Sequence, residues 1–356
     1  MHGRVAGDAT DRAYCIAALP RVSRTFAVSI RLLPFPLEYP TLIAYLLCRI
    51  ADTIEDAPGM SAEDKRCLLE AWRRSLDDDG PSPAPLQAVF PDPRSPEENL
   101  VRSSDRVLRE FRSLAPDRRA AIRPWVQEMC AGMAEFAGRR AGEAALAEIG
   151  TVGDLDRYTY YVAGTVGHLL TDLFSLHAAR VRSPRLTRLK QLATSFGRGL
   201  QLTNIIKDVA DDRQRGWSFV PRQLCDAWGV RPEDLQDGRH REGARQVMLA
   251  LIAKAKAHLA DALAYTTTLP RREYGIRLFC LTALYFAVRT LRLAEREPRL
   301  LDPGHKVKIT RTAVYRTILA ARLVAPSNAL VRGYFRLLAG GTWPAQEPAI
   351  AGAVAS

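Results

Sequence analysis

The chain has 356 residues, 47% of them hydrophobic, with 51 Lys and Arg against 39 Asp and Glu for a formal charge of +12. That composition supports a real core and excludes a disordered or fibrous chain. The positive balance suits an anionic partner, a polyphosphate or a membrane surface, and equally an arginine-rich solvated exterior; with no recognised motif beside it, charge alone argues for no nucleic acid as partner.

The N-terminal residues lack the apolar core of a secretory signal. No uncharged apolar run approaches the roughly 20 residues that span a bilayer. Six cysteines, Cys15, Cys48, Cys67, Cys130, Cys225 and Cys280, are scattered without a C-x-x-C pair or zinc-ligand spacing. A cytoplasmic, reducing setting without disulfides is expected.

In chain order, "SRTF" (23–26) precedes a helical pattern, "PTLIAYLLCRIADTIEDA" (40–57). A Pro- and Asp-rich stretch (76–99) reads as a loop within one domain. Helical spacing resumes in "IRPWVQEMCAGMAEFAGR" (122–139), residues 155–180, 189–212, 244–266 and 274–296. The segment from Ile318 mixes apolar residues with Arg322, Arg332 and Arg336. Two readings of it stand: a last packed helix, or a helix contacting anionic membrane lipid from outside. β-patterned runs are scarce. The expectation is an all-α, single-domain bundle over 16–338, with a flexible N-terminus (1–15) and a disordered tail (339–356).

Two segments carry matching acidic faces. A helix brings positions drawn from i, i+3, i+4, i+7, i+10 and i+11 onto one face. In "YLLCRIADTIED" these are Tyr45, Arg49, Asp52, Glu55 and Asp56; in "QLTNIIKDVADD" they are Gln201, Asn204, Asp208, Asp211 and Asp212. Both carry acid-x-x-acid-acid. One such triplet is usually a solvated surface. Two, set tightly among apolar residues, would repel unless cations lay between them. Hard divalent ions fit, Mg²⁺ above all, since Mg²⁺ takes one or two carboxylates and completes its shell with water and phosphate oxygens. Two facing acidic helices would therefore hold Mg²⁺ and a diphosphate, with Arg49 or Lys207 assisting the leaving group. An allylic diphosphate that ionises there needs a dry, aromatic-lined central cavity for the carbocation.

With these motifs in order, the sequence resembles the squalene/phytoene synthases, head-to-head prenyl transferases of the isoprenoid synthase fold. "SRTF", "YLLCRIADTIED", "YTYYVAGTVG" (158–167) and "QLTNIIKDVADD" are similar to that family's successive signatures. "GMAEF" (132–136), "FCLTALYFAVRTL" (279–291) and "VKITR" (307–311) resemble squalene synthases, whereas "DVADDRQRGWSFVPRQL" has the short Arg-Gly loop of phytoene and dehydrosqualene synthases.

The resemblance implies condensation of two farnesyl diphosphates to presqualene diphosphate, then reduction by NADPH to squalene. Asp52, Glu55, Asp56, Asp208, Asp211 and Asp212 would hold Mg²⁺. Ser23, Thr25, Phe26, Tyr45, Gln201 and Asn204 would meet substrate, with Arg49 beside the diphosphate. Tyr158 matches the tyrosine of proton transfer, and Phe279 an aromatic of the late step. Lys306, Lys308 and Arg311 would meet the NADPH phosphate, although a basic helix start is also an ordinary surface. The alternatives are a phytoene or dehydrosqualene synthase without the reductive step, and a non-catalytic scaffold relative, for which retention of all six acids is unexpected.

Overall fold

The structure, a computed structural model, describes residues 9–138 and 147–343. Its described residues are overwhelmingly helical; their sheet is a two-residue parallel bridge between Ala147–Glu148 and Trp217–Ser218. The chain divides into two compact units, residues 1–141 with 168–182, and residues 142–167 with 183–356.

In the first unit the Phe35–Asp56 helix supplies the core. Ile43, Leu46, Leu47, Ile50 and Ile54 are fully buried along it, the i, i+3, i+4, i+7 recurrence of a helix with one apolar face. Pro34 and Pro36 set its first turn, where a missing N–H costs nothing. The Ala62–Ser75 helix packs on the Pro116–Gly138 helix, and its fully buried Trp72 ties it to the Phe35–Asp56 helix by donating Nε1–H to Leu47 O at 3.2 Å.

The first helix, Ala9–Val22, starts ahead of the boundary expected at residue 16. Asp11 holds it down: its side chain is 4% exposed, with Arg106 Nε at 2.6 Å and Arg109 Nε at 2.7 Å. The stretch read as one loop, 76–99, contains the short Ala84–Gln87 helix and the start of the Pro96–Arg102 helix. Ser95 caps the latter by accepting from Glu98 N at 3.1 Å. Ser-Pro-Glu-Glu is a helix start in miniature: a hydroxyl cap, proline at the first position, and acids at the positive end of the dipole.

The second unit is organised by two long helices, Arg185–Gln214 and Arg241–Thr268, packed on each other. Before them, Val152–Thr159 runs into a π-helical turn, Tyr160–Gly164; such turns cluster at functional sites. Glycine lets the backbones touch here. A Cβ on Gly197 would lie 2.0 Å from Ala163 O, and one on Gly167 2.2 Å from Ala193 O.

The Tyr274–Arg296 helix follows, then Arg311–Val324 and Asn328–Ala339. Gly340, in the left-handed region at φ 70°, ends the last of these. Its closing residue, Ala339, is thus helical, and positions 344–356 of the expected tail lie outside the described residues, as do residues 1–8.

Candidate active site

The first acidic face belongs to the first unit. Ser23 caps the Arg24–Ile30 helix, its Oγ accepting from Phe26 N at 3.2 Å. The Tyr45 ring lies 5.4 Å from that of Phe26, on the neighbouring helix. Burial pushes the Tyr45 phenol up to about 12, so it remains a neutral hydrogen-bonding group at any working pH. Thr25 is exposed on the same short helix.

One turn on, Arg49 lies 3.9 Å from Asp52 and 3.4 Å from Glu97. Its Nε is buried without a partner among the described residues. Desolvation raises Asp52 to about 7, with Arg49 pulling it down and Asp56 adding to the rise. A third of the Asp52 side chain still meets solvent. The carboxyl is therefore crowded by protein yet open to water, which suits a group awaiting a cation. Glu55 is buried, and Lys65, also buried, donates to its backbone carbonyl at 2.6 Å. Asp56 is exposed at the helix end.

The second acidic face belongs to the second unit. Ile205, Ile206, Val209 and Ala210 are buried, so the Arg185–Gln214 helix turns its apolar side inward; Asn204 is exposed, and Gln201, Asp208, Asp211 and Asp212 are part-exposed. Each of the three carboxylates has a basic companion. Lys207 Nζ pairs with Asp208, Lys306 Nζ lies 2.6 Å from Asp211 Oδ2, and Arg215 lies 3.2 Å from Asp212. Lys308 and Arg311 are exposed, Arg311 opening a helix capped by Thr310.

Tyr158 is 5% exposed and stacks on Phe219 at 4.9 Å, which stacks in turn on Trp217 at 5.2 Å. Phe279 is buried in the Tyr274–Arg296 helix. The Trp217–Phe219 stack starts at the short Trp217–Ser218 strand just after the second acidic face, where Gly216 turns the chain at φ +81°. Read as a loop-length signal only, that segment hid the aromatic support of Tyr158.

Among the described residues no group of three or more His, Cys, Asp or Glu side chains is gathered tightly enough to hold a metal by itself. The donor chemistry nevertheless fits Mg²⁺. On each acidic helix carboxylates stand at i, i+3 and i+4 of one face, those of the second each beside a basic side chain, and Mg²⁺ asks for only one or two of them. The structure brings together Ser23, Phe26, Tyr45, Arg49 and Asp52 within one unit, and Asp211 and Lys306 within the other. Glu97 and the Lys306–Asp211 pair escaped the sequence reading. Both join residues far apart in the chain, and a periodicity within one helix carries no sign of such partners.

The squalene/phytoene synthase family model matches residues 19–313. Squalene synthase of Mus musculus is 30% identical over 277 residues, 78% of this chain and 62% of that protein. Squalene synthase of Schizosaccharomyces pombe is 28% identical over 296 residues, 83% of this chain and again 62% of the relative. The chain thus spans less than two thirds of the length of these curated relatives. Among solved structures, TcSQS with the ligand BPH1237 superposes with a TM-score of 0.79 at 26% identity, over 95% of this chain and 94% of that one. A dehydrosqualene synthase in complex with a ligand superposes with a TM-score of 0.63 at 20% identity, over 92% of this chain and 97% of that one, a likeness of fold.

Proposed function

Since the chain belongs to the squalene/phytoene synthase family, we propose that it is a squalene synthase, joining two farnesyl diphosphates head to head and reducing the product with NADPH. The observation that carries the reading is the retention of both acidic faces, all six carboxylates present, within a match to squalene synthases that runs over most of the chain.

The roles follow from the side chains. Asp52, Glu55 and Asp56, with Asp208, Asp211 and Asp212, would hold Mg²⁺, which when bound neutralises a departing diphosphate. Arg49 offers a fork of donors to diphosphate oxygens, held near Asp52 and Glu97. Ser23 and Tyr45 present neutral hydroxyls beside it, and Phe26, Gln201 and Asn204 are the remaining substrate contacts. Tyr158, buried and stacked, holds its hydroxyl proton for transfer as the cyclopropane forms. Phe279 offers an aromatic face to a late cation. Lys306, Lys308 and Arg311 would meet the phosphate of NADPH, the hydride donor of the last step.

A phytoene or dehydrosqualene synthase remains the second reading, supported by the Arg215–Gly216 loop. Release of inorganic diphosphate from farnesyl diphosphate tests the common part of both. It should require Mg²⁺ and stop with a chelator. Release that ignores Mg²⁺, or none at all, would remove the enzyme from this chemistry.

A further inference from the structure

The last two helices, Arg311–Val324 and Asn328–Ala339, are a built part of the second unit. Thr317, Ala321, Val331, Phe335 and Ala339 are buried on their inner side. Arg277, fully buried, fixes the turn between them: Nε donates to Ala325 O at 2.8 Å and Nη2 to Asn328 Oδ1 at 2.7 Å. Beyond residue 313 this pair lies past the span matched by the family model.

Their outer side breaks the usual rule. Tyr315, Leu319 and Leu323 recur at i, i+4 and i+8 and are 72%, 58% and 69% exposed. On the next helix Leu330 and Leu337, seven residues apart and so on one face, are 56% and 74% exposed. Single exposed leucines need no explanation, but aligned stripes do. The charge around them has one sign. Residues 303–343 hold seven Lys and Arg and no Asp or Glu, so this tenth or so of the chain supplies seven of the net twelve positive charges. Arg311, Arg316, Arg322, Arg332 and Arg336 are all exposed. By helical projection Arg322 and Arg316 fall on opposite flanks of the Tyr315–Leu323 stripe.

We propose that this outer face docks on an anionic lipid bilayer. Tyr315, Leu319, Leu323, Leu330 and Leu337 enter the boundary between headgroups and acyl chains, and the arginines lie over headgroup phosphates. An amphipathic face with a basic polar side lies flat in that boundary. A second copy of this chain fits worse, since its arginines would meet arginines. Docking deepens the proposed function by placing release of a water-insoluble hydrocarbon at the membrane. The binding itself rests on the surface alone and is measured without substrate.

The test is co-sedimentation of the full chain with vesicles of phosphatidylcholine alone and of phosphatidylcholine and phosphatidylglycerol in equal parts. The wild type should pellet with the mixed vesicles only, and less as salt rises. Leu319→Ser with Leu323→Ser should abolish pelleting. Arg322→Gln should weaken it roughly fivefold, the share of one basic residue near an anionic surface. Both variants should keep wild-type helical content and thermal midpoint, because the altered side chains are exposed. A wild type that stays in the supernatant with both compositions would overturn the proposal. So would leucine variants that pellet like wild type, or a dimer in sedimentation velocity that the leucine changes dissolve while vesicle binding is absent. Diphosphate release from soluble farnesyl diphosphate is read separately, so failure to dock and failure of the synthase reading are distinguishable.

Discussion

Lys306 Nζ lies 2.6 Å from Asp211 Oδ2, joining a segment far down the chain to the middle carboxylate of the second acidic face. With Asp211 as a Mg²⁺ ligand, as proposed, Lys306 would compete with the ion for that carboxylate. Half of the Lys306 side chain is exposed, so the pair is weak, worth at most about 1 kcal/mol. Lys306→Ala should therefore lower the Mg²⁺ concentration for half-maximal activity, by up to roughly fivefold. The same change should raise KM for NADPH if Lys306 meets its phosphate. An unchanged Mg²⁺ titration would mean that the lysine does not compete for Asp211.

Both acidic faces are expected to be indispensable. Asp52→Asn and Asp208→Asn should each cut turnover by orders of magnitude, because loss of a group that positions stabilising charge removes several kcal/mol of barrier lowering, on the order of 3. Circular dichroism should be unchanged, both side chains being partly exposed. Near-normal turnover of either variant at saturating Mg²⁺ would separate that face from the metal.

Tyr158→Phe keeps the ring against Phe219 and deletes the hydroxyl. Presqualene diphosphate formation should fall far more than KM changes, the pattern of a group used in the transition state. An unchanged rate would leave Tyr158 as packing.

Much of this was legible because helices write their faces into sequence. The two acidic stripes, the aromatic segment that holds the π-turn and the apolar core of Phe35–Asp56 all read as helical, and the structure gives each a helical backbone. What escaped depended on partners distant in sequence. Asp11 looked like part of a loose N-terminus until Arg106 and Arg109 closed on it. Pro96–Arg102 was hidden inside a proline-rich stretch because composition outweighed its capping signal. Arg277 sits in the first turn of its helix beside an apolar run, and its four hydrogen-bond acceptors come from residues 266, 269, 325 and 328.

The Asp11 cluster has a pH signature. Hydrogen bonds from Arg109 and Arg106 hold its carboxyl below the usual value of 3.8. A depressed acid stabilises the fold fully above its unfolded value, and that contribution is lost as pH falls through the lower, folded value. Asp11→Asn should cost on the order of 2 kcal/mol at neutral pH. The gap to wild type should narrow below about pH 4 as the wild-type carboxyl protonates. Urea unfolding at neutral and acidic pH measures this, and a gap independent of pH would assign the cluster no role in acid stability.

The most direct measurement is the identity of the hydrocarbon made from farnesyl diphosphate and Mg²⁺, with and without NADPH. With NADPH, squalene should dominate and turnover should rise; without it, presqualene diphosphate or dehydrosqualene-type products should accumulate, since no hydride arrives. The same product mixture in both incubations, dominated by a conjugated triene, would contradict the squalene synthase reading and place the chain with the dehydrosqualene and phytoene synthases.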